Sequence, residues 1–294
     1  MAWYITCMLY SSINNKGNIM TGGMSPIYID NPLFAPGIPR DPETGWIILP
    51  RDKEWRQSLF FPDAVMSHPA KMNLYMEQAM IEWVSKPGDI LLDPFGGTGT
   101  LMIGALEDRT IILIELEDGY HQLQCKTRDI LLQGRPDAKV ILLHGDNRFL
   151  LPFPCNHIIT SPPYASAMDI RRVRKGDEND NFVQADKRMM EYSKSPRNLS
   201  KLNTFTYNQA MEKVYKLCYE SILSGGTLCV NIKDRIENGK RVYLSKWIEM
   251  VCTRVGFKME SWFKWLVPGN QFTNIRRSKG EITVDDEDCI IFRK

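Results

Sequence analysis

Apolar and polar positions change period several times along this chain. Up to about residue 56 no period is sustained. Gly, Pro and Asn are frequent there, and "NPLFAPGIPRDPETG" predicts an N-terminal arm or loop over 1–56. A helical pattern then begins: Met72, Tyr75, Met76, Ala79, Met80 and Trp83 recur at three- and four-residue steps, and "KPGD" stops the run. From there, short apolar runs alternate with helical patterns. "ILLD" (90–93), "TIILIE" (110–115), "KVILLHGD" (139–146), "HIITS" (157–161) and "GGTLCVNIKD" (225–234) predict strands. Helices are predicted from near Thr100, through "GYHQLQCKTRDILLQ", through "YNQAMEKVYKLCYESIL", and through "LSKWIEMVCTRVGF" to Gly256. "MESWFKWLV" and "EDCIIFRK" add two last strands. The alternation predicts one α/β domain over 57–294 with a mostly parallel, seven-stranded sheet, the last two strands forming an antiparallel edge.

One stretch fits neither period. "RRVRKGDENDNFVQADKRMMEYSKSPRNLSKLN" (171–203) is charged, interrupted by Gly and Pro, and too poor in apolar residues to build a core. It reads as an insertion, of the kind that serves as a lid or binding loop.

Composition narrows the partners. The 294 residues are 43% hydrophobic and 24% charged, as in an ordinary globular protein. A net charge of +2 means that any basic surface is local. Seven dispersed cysteines without paired spacing predict reduced thiols in the cell interior, with no zinc cluster. No apolar run reaches membrane-spanning length.

Polar groups end three successive predicted strands. Asp93 precedes the glycine loop "DPFGGTGT", where Gly96, Gly97 and Gly99 allow close approach of backbone to a ligand. A dinucleotide fingerprint offers similar glycines, but here the acid comes first and Pro-Phe follows it. A Walker loop needs Gly-Lys-Ser/Thr, which is absent from this stretch. Glu115, 22 residues after Asp93, is placed to accept both hydroxyls of a ribose. Asp146 and Asn147, after the third strand, are placed to meet an adenine edge. Together they fit an adenosine ligand along the carboxyl rim of an open sheet.

The fourth strand leads into "TSPPY" (160–164). Neither proline donates a hydrogen bond and both fix φ, so the backbone is rigid and its carbonyls are free to accept. Such a corner suits a flat, amino-bearing group.

The ordered set "FPDAVMSHPAKM", "DPFGGTGT", "IELE", "GDNR", "TSPPY" and "LSGGTLCVNIKD" resembles the amino-methyltransferases of DNA, which methylate N4 of cytosine or N6 of adenine. The resemblance covers roughly 57–294. It implies a Rossmann-like class I methyltransferase fold and S-adenosylmethionine as cofactor. It further implies that Asp93, Phe95, Gly96, Gly97 and Gly99, with Thr98 in the same loop, line the methionine end. His68, Pro69, Ala70 and Lys71 would help to hold the methionine tail, Glu115 the ribose, and Asp146 and Asn147 the adenine. Ser161 and Pro162 would accept hydrogen bonds from the target amine, Pro163 would complete the rigid corner, and Tyr164 would stack on the base. The partner implied is DNA, single-stranded or with the target base flipped out of the duplex.

The chemistry explains the corner. A ring-conjugated amine is a poor nucleophile because its lone pair is delocalised. A hydroxyl and a fixed carbonyl that accept its N–H bonds favour a pyramidal nitrogen aimed at the methyl donor. Orientation of this kind contributes up to roughly 7–11 kcal/mol. Acceptors also favour the charge that develops on nitrogen.

Two features depart from the general family pattern. The cofactor half precedes the catalytic half, an order only some of its classes have, and no large target-recognition domain follows. Basic residues near the expected site, Arg171, Arg172, Arg174 and Lys175 after the tetrapeptide and Arg276, Arg277 and Lys279 later, are candidate phosphate contacts. Asn270, Gln271 and Asn274 offer amide edges to a base, whereas Trp262 and Trp265 read as core packing.

Other readings remain at this stage. RNA-base and protein-glutamine methyltransferases share a Pro-Pro-Tyr tetrapeptide, usually after Asn or Asp; Ser161 argues against them and favours cytosine N4 over adenine N6. A non-catalytic nucleic-acid-binding subunit is opposed by the intact glycine loop. Cys155, in "FPCNH", raises thiolate attack on cytosine carbon 5, but it precedes its strand and lacks a matching Glu motif.

Overall fold

The structure is a computed structural model that describes residues 39–67, 71–163, 195–237, 239–267, 275 and 277–294. Its strands and helices run in the order β1 (Ile47–Ile48), α1 (Lys53–Ser58), α2 (Leu74–Val84), β2 (Ile90–Asp93), a 3₁₀ helix (Thr100–Glu107), β3 (Thr110–Glu115), α3 (Asp118–Gly134), β4 (Lys139–His144) and α4 (Asn147–Leu150). There follow β5 (Cys155–Thr160), α5 (Thr204–Ser221), β6 (Ile222–Ile232), β7 (Arg235–Glu237), β8 (Lys240–Val242), α6 (Leu244–Val255), β9 (Lys258–Leu266) and β10 (Asp286–Arg293).

The main sheet has the order β1-β9-β10-β6-β5-β2-β3-β4. β4, β3, β2, β5 and β6 are mutually parallel. The antiparallel side expected from the last two strands is present, and β10 alone is reversed. It lies between β6 and β9 and pairs antiparallel with both. The two-residue β1 adds to the rim beside β9. β7 and β8 form a separate hairpin.

Period-two alternation sends successive strand residues into two cores. Leu91, Ile111, Leu113, Ile159, Cys229 and Ile291 face α2, the 3₁₀ helix and α3. Leu92, Ile112, Ile158, Leu228, Val230 and Ile290 face α5 and α6. Both faces of the sheet are therefore covered, which is why its strands read as continuous apolar runs. Trp262 and Trp265 are buried packing residues.

Two boundaries differ from those expected. The segment read as arm includes β1 and α1, with Ile47 and Arg56 fully buried. Arg56 is held by Asp52 at 2.7 Å and by the Met72 carbonyl at 2.7 Å. These anchors carry no apolar periodicity, so the pattern could not reveal them. At the other boundary, residues 195–203 of the charged segment pack against the domain, with Leu199 and Ser200 buried. The rest of that segment, 171–194, and residues 1–38 lie outside the described residues.

Candidate active site

Strand order reverses between β2 and β5, since β3 and β4 follow on one side and β6 on the other. A switch point of this kind leaves a crevice beyond the carboxyl ends of the strands. Here the crevice is a cleft of about 900 Å³, its open mouth included. Its lining includes Asp93 from β2, Glu115 from β3, Asp146 and Asn147 after β4, and Ser161 and Pro163 after β5.

The loop after β2 shapes the floor. Gly97 and Gly99 have φ of +49° and +83°, a region that favours glycine. A Cβ on Gly96 would lie 2.7 Å from Gln124 Nε2, which itself donates to the Gly97 carbonyl at 2.9 Å. Phe95, Gly96, Gly97 and Thr98 line the cleft. Gly99 instead turns the chain into the 3₁₀ helix.

The acids are held in place. Asp93 Oδ1 accepts from Thr160 Oγ1 at 2.6 Å and from the Phe95 amide at 2.9 Å. Burial pushes its carboxyl up to about 6 despite those bonds. Glu115 accepts from the Gly97 amide through Oε2 and from the Glu117 amide through Oε1, both at 2.7 Å. Burial raises it to about 7. Asp146 caps α4 and pairs with Arg148 at 2.6 Å. Burial opposes ionisation of Asp146, but the Arg148 bonds prevail and hold its carboxyl below the usual range. Asn147 is pinned by its amide to the Pro94 carbonyl at 2.7 Å.

At the tetrapeptide, Ser161 and Pro163 border the cleft and Pro162 is buried. Tyr207, from α5, donates its hydroxyl to the Pro163 carbonyl at 2.6 Å. Lys71 also lines the cleft, with its ammonium on the Met66 carbonyl at 3.1 Å. Burial, aided by nearby Arg56, lowers its pKa.

Several lining residues escaped the sequence reading. Glu117 is buried; it accepts from the Ser195 amide at 3.1 Å and from Asn198 Nδ2 at 2.8 Å. Arg197, Asn198 and Leu199 thereby close one wall of the cleft, and Tyr120 another part of it. No local pattern predicts a contact 81 residues apart in sequence. Glu77 also lines the cleft, and it did leave a signal: its spacing places it with Leu74, Met80 and Ile81 on the buried face of α2.

His68, Pro69, Ala70, Tyr164, Arg171, Arg172, Arg174, Lys175 and Arg276 lie outside the described residues, as do Asn270, Gln271 and Asn274. Arg277 and Lys279 are exposed, and Arg277 is paired with Asp285 at 2.5 Å. Cys155 is fully buried at the start of β5, and burial raises its thiol to about 12.

Among solved structures, TrmN from Thermus thermophilus is similar with 12% identity and a TM-score of 0.47, over 78% of this chain and 52% of that one. The chain thus spans about half the length of that protein. A TehB-like SAM-dependent methyltransferase from Corynebacterium glutamicum gives 12% identity and 0.44, over 82% and 95%. TYW2 from M. jannaschii, in complex with AdoMet, gives 11% and 0.42, over 77% and 78%. No curated protein sequence matches the chain. Residues 39–126, which carry β1 to the first half of α3 and the whole glycine loop, match the N6/N4 family of DNA methylases, the family that the motifs of this sequence resemble.

Proposed function

We propose that this protein transfers a methyl group from S-adenosylmethionine to an exocyclic amino group of a DNA base, with N4 of cytosine preferred to N6 of adenine. One observation carries the proposal. The strand-end acids Asp93, Glu115 and Asp146 border the same cleft as Ser161, and Thr160, the residue before Ser161, donates a hydrogen bond directly to Asp93.

The donor set fits the cofactor. Five acids line the cleft against Lys71 and Arg197, as suits a ligand with a diol and a cationic amino-acid end. S-adenosylmethionine, when bound, supplies a sulfonium-activated methyl group. Glu115 is assigned to the ribose hydroxyls, Asp146 and Asn147 to the adenine side, and Asp93 with Gly96 and Gly97 to the methionine end. The Ser161 hydroxyl and the Pro162 carbonyl accept the two N–H bonds of the target amine and orient its lone pair. In the transfer the nitrogen would gain the methyl group as its bond to sulfur broke, leaving a neutral thioether, and the nitrogen would lose one proton to solvent. The match of residues 39–126 to DNA methylases supports DNA as the polymer. A Ser at the head of the tetrapeptide supports cytosine. Phosphate contact is assigned to the basic residues after the tetrapeptide and to Arg277 and Lys279.

Incubation of DNA with the protein and labelled S-adenosylmethionine, followed by digestion and mass analysis of nucleosides, tests this directly. N4-methylcytosine is expected. N6-methyladenine would move the base assignment, and label found only in RNA or protein would overturn the choice of polymer.

A further inference from the structure

Of the five acids that line the cleft, four have a defined donor: Asp93, Glu115, Glu117 and Asp146 all accept hydrogen bonds. Glu77 is the exception. It projects from the first turn of α2, is only 2% exposed, and its carboxyl accepts no hydrogen bond among the described residues, yet it borders the cleft. An acid on the apolar face of a helix costs stability unless something compensates it. The surrounding charges do so poorly. Asp93, at the end of β2, opposes ionisation of Glu77, and Arg56, on α1, favours it. Arg56 is itself engaged by Asp52, the Met72 carbonyl and Thr100. Cys229 of β6 and Cys289 of β10, also close to Glu77, are buried thiols that supply no positive charge.

Two buried carboxyls, Glu77 and Asp93, thus border one cleft and oppose each other's ionisation, while its cations are Lys71, whose ammonium sits on the Met66 carbonyl, and Arg197 on the wall formed with Asn198 and Leu199. A cationic ligand group placed there would let both ionise. We propose that Glu77 is a cofactor-binding residue that, together with Asp93, receives the α-ammonium group of the methionine end of S-adenosylmethionine. The inference rests on the cofactor assignment made above. It adds a residue from α2, outside the glycine loop, and it specifies which of the cofactor's two positive groups is read there. The ammonium is present in both S-adenosylmethionine and the demethylated product, whereas the sulfonium charge is present only in the former. Glu77 therefore binds substrate and product cofactor alike.

Calorimetry of wild type and Glu77→Gln with S-adenosylmethionine, S-adenosylhomocysteine and 5′-methylthioadenosine tests the proposal. The third compound lacks the whole amino-acid end. The variant is expected to lose about tenfold or more in affinity for the first two and less than about twofold for the third, which also reports that the cleft is intact. Wild type is expected to release protons when S-adenosylmethionine binds at pH 7, seen as an enthalpy that depends on the buffer, and Glu77→Gln to release fewer. Unchanged affinity for all three compounds would make Glu77 a neutral core acid and overturn the proposal. A loss confined to S-adenosylmethionine would assign Glu77 to the sulfonium instead, and an equal loss for all three would mean general damage; either overturns it too. Failure of wild type itself to bind S-adenosylmethionine would refute the cofactor assignment, a separate result from failure of the Glu77 contact.

Discussion

Thr160 donates its hydroxyl to Asp93 Oδ1 at 2.6 Å, joining the ends of two adjacent parallel strands. One residue precedes Ser161 and the other opens the glycine loop, so a single hydrogen bond spans the two halves of the proposed site. Thr160→Val keeps the shape and removes the donor. The Asp93 carboxyl, already raised to about 6 by burial, then rises further. Cofactor affinity is expected to fall about ten- to hundredfold near neutral pH, since a bond to a charged group contributes about 1.5–3 kcal/mol. Because a raised pKa calls for a higher pH to restore the carboxylate, the loss shrinks between pH 7 and 9. Calorimetry across that range checks both the size and the direction.

Binding and turnover separate along the cleft. Asp93→Ala and Glu115→Ala are expected to weaken S-adenosylmethionine binding at least tenfold. Ser161→Ala is expected to leave binding near wild type and to lower turnover strongly, because the proposed function assigns Ser161 to the target amine. Equilibrium binding beside single-turnover methyl transfer distinguishes the two classes, and unchanged affinity in both acid variants would sink the assignment.

Stability carries a pH signature from Glu115. Its carboxyl moves from 4.5 to about 7 on folding, mainly through burial. Between those values the folded chain keeps a proton that the unfolded chain has released, so this contribution to stability falls as pH rises. Asp93 acts in the same direction between 3.8 and about 6. Asp146, held low chiefly by Arg148 against its burial, acts oppositely and only at more acidic pH. Urea unfolding of the ligand-free protein should show wild type losing on the order of 3 kcal/mol relative to Glu115→Gln between pH 5 and 8.

Gly96→Ala tests the floor. The new methyl would collide with Gln124 Nε2 and approach Leu113 and the Ile114 carbonyl. Relief requires Gln124 to leave the Gly97 carbonyl. A loss of about 1–3 kcal/mol in stability is expected, with weaker cofactor binding. Thermal melts with and without S-adenosylmethionine report both.

Cys155→Ala should leave methyl transfer within about twofold of wild type. The thiol is buried and its pKa is about 12, so almost no thiolate exists at pH 8. A collapse of turnover on this substitution would revive the carbon-5 mechanism.

The sheet was legible because its strands are short apolar runs ended by polar groups. Asp93, Glu115, Asp146 and Ser161 mark one rim in the sequence itself, since strands of one direction end on one side. What was not legible depends on long-range contact. Arg56 lies in a stretch without period, and nothing local says that it anchors α2. Nothing local marks Glu117 as buried, because its partners, Ser195 and Asn198, lie about 80 residues away in a segment whose composition reads as loop. The placement of β10 was likewise beyond local pattern: two successive apolar runs fit an antiparallel pair, but nothing local puts the second between β9 and β6.

That placement of β10 bears on biosynthesis. β6 and β9 do not pair with each other, and the space between them is filled by a strand made after both. Until β10 docks, the growing chain presents an open apolar edge on β6, with Val230 and Ile232 among its residues. An unpaired edge of this kind invites pairing with other chains. Aggregation during synthesis is therefore the hazard that accompanies this sheet order, and substitutions that slow the docking of Ile290 and Ile291 should lower soluble yield more than they lower the stability of molecules already folded.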